Sequence, residues 1–104
     1  ATFNNYTETT FVANTGSAIT LSLTNGTLQI LTMNASPTIT LPTATAGKSF
    51  ILIVTGASTA NATFTGVKWA ANTAPTITTT GNKDILSFIS DGTNWYGAYA
   101  QAFQ

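Results

Sequence analysis

Residues 18–34, AITLSLTNGTLQILTMN, decide how this chain is read, because two apolar-alternating runs meet there at an Asn-Gly pair. Ile19, Leu21 and Leu23 alternate with Thr20, Ser22 and Thr24, the period of a strand with one buried face. Asn25-Gly26 offers the two positive-φ positions of a two-residue turn, so the stretch predicts a β-hairpin. Strand signals continue around Phe11 and over residues 38–41, 49–55, 63–69, 76–78, 84–90 and 95–99, where Thr, Ile and aromatic side chains suit a pleated surface better than a helix. About eight short strands separated by turns predict an all-β fold: an antiparallel β-sandwich, a jelly roll or a small barrel.

Length and charge narrow the possibilities further. A chain of 104 residues is the size of one domain and can bury one modest core without staples. Residues 1–14, uncharged apart from Glu8, read as an N-terminal arm, and residues 15–104 as the β-sandwich domain. An opening Ala is expected where an initiator Met has been removed, which would make the chain a complete small protein. Only 6% of residues are charged, with three basic against three acidic side chains and no His. Such a balance cannot neutralise a run of phosphates, so nucleic acid is not an expected partner. The longest apolar run, residues 50–54, is far shorter than the roughly 20 residues of a membrane span, and no basic segment opens the chain. A soluble protein without membrane contact is expected. No Cys is present, so disulfides and thiolate metal sites are excluded.

A short internal repeat runs through residues 37–92. PTIT occurs at residues 37–40 and again at 75–78, and each copy leads through a Gly and a Lys into an apolar strand, SFILIV or DILSFI, which ends near Gly56 or Gly92. The pattern predicts a unit used twice: Pro opens a short strand, a polar loop turns the chain, and a strand apolar on both faces returns through the core.

Residues 66–97, GVKWAANTAPTITTTGNKDILSFISDGTNWYG, carry a resemblance to structural proteins of tailed-phage virions. The Val-Lys-Trp, the Ala-Pro-Thr, the Gly and Asp before an apolar strand, and the closing Asp-Gly-x-x-Trp-Tyr-Gly make up the motif. LPTATAGKSFILIV, upstream, agrees more loosely, and Ala71-Asn72 departs from it where a Gly pair is more typical. The resemblance implies a non-enzymatic, usually trimeric β-protein on the outer surface of a virion, synthesised in the host cytoplasm. Capsid decoration or head-fibre protein is the leading expectation, with the major capsid protein or another virion protein as partner. The alternative is a distal tail-fibre domain that binds host surface glycans.

Catalytic chemistry finds little support in the residues themselves. Without His or Cys, neither a His-dependent triad nor a Cys-His nucleophile can form within the chain. Asp84 and Asp91 flank one predicted strand, which separates them by about 20 Å, too far for a glycosidase pair. Asp-Gly-Thr-Asn at residues 91–94 offers one carboxylate and reads as a hairpin turn, not a calcium loop. Ala-Gly-Lys-Ser at residues 46–49 lacks the upstream Gly of a phosphate loop and precedes a strand, so it also reads as a turn. The Asn-x-Ser/Thr triplets beginning at Asn5, Asn25, Asn34 and Asn61 are expected by chance in so Asn- and Thr-rich a chain. No catalytic residue, metal or cofactor is expected.

The aromatic residues remain. Period two places Trp95 and Tyr99 on one face of a strand and Tyr96 on the other. Trp95, Tyr99 and Phe88 are therefore candidates for the core or a subunit interface, with sugar stacking as a further reading of the aromatic strand. Trp69, ahead of the small-residue loop AANTAP, and Tyr96 are the candidates for an exposed contact surface. With few Lys or Pro residues to guard sheet edges, neighbouring copies are the expected cover.

Overall fold

A computed structural model describes residues 4–57, 61–79 and 81–104. Their elements are almost entirely strands: β1 (Thr10–Asn14), β2 (Ala18–Thr20), β3 (Leu28–Thr32), β4 (Thr38–Thr40), β5 (Ser49–Thr55), β6 (Thr63–Thr65), β7 (Val67–Trp69), β8 (Lys83–Ser90) and β9 (Trp95–Phe103). Two single-turn 3-10 segments, Leu23–Asn25 and Ala70–Asn72, complete the regular structure. The strands form a six-stranded sheet of order β1-β3-β5-β8-β9-β7 and a three-stranded sheet of order β2-β4-β6. The all-β expectation holds.

The wholly antiparallel, jelly-roll-like order does not hold. From β1 to β6 the chain changes sheet after every strand, so each strand re-enters its sheet from the same end as the last. β1, β3 and β5 are consequently parallel, as are β2, β4 and β6, with the other sheet's strand serving as the crossover. Only β5–β8 and β8–β9 are antiparallel, and β7 closes the far edge parallel to β9. Thr10–Asn14 of the expected N-terminal arm belongs to the sheet as its edge strand.

Residues 18–34 do not make a hairpin. Ile19 and Leu21 approach the core from the three-stranded sheet, whereas Gln29 and Leu31 approach it from the six-stranded one. Asn25 ends a 3-10 turn capped by the Ser22 hydroxyl, and Gly26 alone adopts positive φ, at 117°. The buried Gln29 amide fixes this corner by donating to the carbonyls of Ser22 and Gly26 at 3.0 and 3.2 Å. A Cβ at Gly26 would collide with the Thr9 carbonyl oxygen, so the glycine is needed for close approach as well as for its φ.

The inward positions of both sheets meet in one cluster that includes Leu31, Leu52, Val54 and Leu86 from the large sheet and Ile39 from the small one. Each such side chain contributes roughly 1.5–3 kcal/mol when fully buried. The two PTIT copies share their burial but not their secondary structure. Pro37, just ahead of β4, and Ile39 within it are buried, and Pro75 and Ile77 are buried on a segment that forms no strand. There the backbone N–H groups of Ile77 and Thr78 donate to the side chains of Asn61 and Asp84 instead of to a neighbouring strand.

Candidate interaction surface

The hairpin of β8 and β9 places the aromatic residues. Asp91 builds its turn: one carboxylate oxygen accepts from the N–H groups of Thr93 and Asn94 at 2.9 and 2.8 Å, and the Ser90 hydroxyl accepts from Gly92. The Asn94 and Thr93 N–H groups, helped by the Tyr96 hydroxyl, hold the Asp91 carboxyl below the usual carboxylate range. The 46–49 stretch likewise opens as a turn, with Lys48 N–H on the Thr45 carbonyl, and enters β5 at Ser49.

Trp95 is buried, its indole N–H donating to the Pro42 carbonyl at 2.7 Å and its ring edge-on to Phe50 at 5.2 Å. Phe88 is buried beside Phe50 at 5.0 Å. Tyr99 shares their face, opposite Leu86, yet remains 41% exposed, with its ring set edge-on to Trp69. Trp69 departs from the expected exposed ring. It is half-buried among Phe64, Phe88 and Tyr99, and it lies over Gly97, where a Cβ would strike the indole. The small residue that makes room for it stands on the neighbouring strand, not in the loop that follows it. Tyr96 faces outward, 42% exposed, and its hydroxyl donates to Asp91 at 2.9 Å.

Asp84, at the opposite end of β8, is fully buried. Burial pushes its carboxyl up, but the Thr78 and Ala102 N–H groups and the Gln101 amide together hold it below the ordinary value. The carboxylate thereby fastens residues 76–78 and the bulged end of β9 onto β8. The two aspartates are not brought together, and each is occupied by backbone donors. Among the described residues no group of three or more potential metal ligands occurs, and no helix is long and apolar enough to cross a membrane.

The outer face of the six-stranded sheet is the feature that sequence reading did not anticipate as a surface. Cross-strand register aligns Val12, Ile30, Ile53, Ile85 and Ala100 in one row across five strands. A second row runs Thr10, Leu28, Ile51, Ser87, Ala98, and a third runs Ser49, Ile89, Tyr96, Lys68. Val12 is 68% exposed and Ile89 61%. Ile51, Ile89 and Tyr96 rim a shallow depression floored by the small Ser87, Gly97 and Ala98. The signal was present in residues 50–54, an apolar run on both faces of β5, but it reads equally as a strand buried on both sides.

Comparison of the chain with protein-family models, with curated proteins and with solved structures gives no match.

Proposed function

We propose that the chain is a non-enzymatic structural protein of a tailed-phage virion, a β-sandwich that decorates the outer capsid shell, or forms a head fibre on it, as a homotrimer. The observation that carries this reading is the outward face of the large sheet. It presents apolar and neutral side chains across five strands, with Lys68 and Lys83 only in its bordering positions. Contiguous apolar surface on a small protein marks a place of association. Asp84 and Asp91, engaged by backbone N–H groups, act as fasteners of the fold. The span that resembles phage proteins also supplies a single structural unit: β7, the buried Pro75 and Ile77, and the β8–β9 hairpin.

The test is cosedimentation with empty phage shells at low and high salt. Uncharged contacts should leave occupancy nearly unchanged between the two, because screening acts on charges. Release by salt alone would contradict this mode of attachment.

One arrangement favours the tail-fibre alternative. The exposed Tyr96 ring beside the Asp91 carboxylate pairs a stacking surface with a hydroxyl acceptor, the combination a sugar ring uses. On that reading the wild-type chain binds on a bacterial glycan array and does not cosediment with shells, and Tyr96→Ala abolishes the glycan binding.

A further inference from the structure

We infer that the outer face of the six-stranded sheet is where copies of this chain associate with one another, the bulky half of one copy's face seating on the low half of the next. The inference stands on the face itself and not on the virion reading. Three observations converge on a second copy as the occupant.

The first is the composition of the strands behind the face. β3 is central and parallel to both of its neighbours, β1 and β5, and parallel strands are ordinarily covered on both sides. Here the inward residues Leu31, Leu52 and Val54 are buried by the chain's own core, whereas Leu28, Ile30, Ile51 and Ile53 on the reverse keep solvent contact. At the β1 corner of this face Asn5, Tyr6, Thr7 and Glu8 border Leu28, while Val12, Ile51 and Ile89 remain exposed.

The second is charge. The central rows hold no ionisable side chain, and the chain as a whole has net charge zero. A second copy therefore meets this face without placing like charges in contact, whereas an acidic or basic partner would find no complementary group.

The third is shape and extent. The β1–β3–β5 side carries Val12, Leu28, Ile30, Ile51 and Ile53, and on the β8–β9 side the small Ser87, Ala98 and Ala100 leave a depression flanked by Ile85, Ile89 and Tyr96. Such a face is complementary to itself: with two copies turned face to face, the raised side of each seats in the depression of the other, so one pair uses the whole face of both. Five strands at about 4.8 Å by three rows at about 6.7 Å give on the order of 500 Å² in projection. Two such faces together reach the roughly 1,000 Å² at which specific association begins.

The experiment uses the purified chain at micromolar concentration, with mass measured by light scattering and native mass spectrometry. The expected result is a multiple of the 10.8 kDa chain. Ala98→Lys in the low half and Val12→Lys in the raised half alter exposed positions and should each yield monomer with an unchanged β circular-dichroism spectrum. Thr43→Lys, exposed and outside the face, should leave the oligomer intact. Burying an unpaired ammonium at the contact should weaken association by at least about 100-fold. A monomeric wild-type chain overturns the inference, and so does an oligomer that all three variants preserve. Shell cosedimentation of the same samples separates the two ideas. An oligomer dispersed by Ala98→Lys that never binds shells upholds the self-contact and removes the virion reading. A wild-type monomer that binds shells and loses them with Ala98→Lys assigns the face to the capsid instead, overturning the self-contact alone.

Discussion

At the scale of single residues, Asp84 carries the sharpest consequence. Its folded-state pKa lies below the ordinary carboxylate value, so the stability it contributes is complete above about pH 4 and is lost as pH falls through the depressed folded value. Asp84→Asn keeps the shape but turns an N–H donor toward groups that are themselves donors. It should lower stability by about 1–3 kcal/mol at pH 7 and flatten the acid limb of the curve, as thermal melts between pH 2 and 7 would record. Wild-type and variant melts with equally steep acid limbs would show that another group governs acid sensitivity. Trp95 tests packing instead. Trp95→Ala should cost roughly 3–5 kcal/mol, a large part of a small domain's stability, whereas Tyr96→Ala on the same strand should cost little in the isolated chain. Chemical denaturation of the two variants gives the comparison, and equal losses would refute the assignment of opposite faces. That assignment was legible from alternation alone. What alternation could not give was how far each inward residue is covered: Tyr99 faces inward with Trp95 but stays exposed, because alternation sets direction and neighbouring elements set cover.

At the scale of elements, the most instructive contact is Trp69 on Gly97. β7 and β9 pair with Trp69 opposite Gly97, and the indole occupies the space that any side chain there would need. Gly97→Ala should therefore expel the ring and lower stability by about 1–3 kcal/mol, with a change in tryptophan fluorescence reporting its displacement. An unchanged emission spectrum and melting temperature would mean that the strands separate freely to admit the methyl group. Strands and their inward faces could be read from period two, and β5 and β8 stand where the pattern placed them, with ends within a residue. Partners could not. Alternation is the same whether a strand's neighbour runs with it or against it, so β1, β3 and β5 gave no sign of being parallel. Asn25-Gly26 misled for a related reason: the pair permits a tight hairpin, but the Gln29 amide and the close approach of Thr9 hold a corner between sheets. The second PTIT copy predicted a strand at residues 76–78 where side-chain acceptors took the backbone N–H groups first.

At the scale of the whole molecule, the face of the large sheet joins the proposed role to the fold. A wall apolar on both sides gives the chain its core on one side and the proposed contact with its copies on the other, and the scarcity of charge suits both. The alternation of β1 to β6 between two sheets has a further consequence, which concerns time. No strand in this half can pair until the chain has gone out through the other sheet and returned, so its contacts close large loops before any pairing energy is gained. Among the described strands only β8 and β9 are both consecutive in sequence and paired with each other, across the Asp91 turn. Refolding should thus be slow for so small a domain, in the millisecond-to-second range, with the β8–β9 hairpin formed earliest. Stopped-flow measurements on Asp91→Ala should show slower refolding, and on Ala13→Gly in β1 chiefly faster unfolding; the reverse pattern would place the nucleus in the parallel half. A ribosome releases β9 after the eight strands that precede it. During synthesis those strands must therefore wait unpaired for the hairpin that starts the fold, and their abundance of threonine and asparagine keeps them hydrated meanwhile.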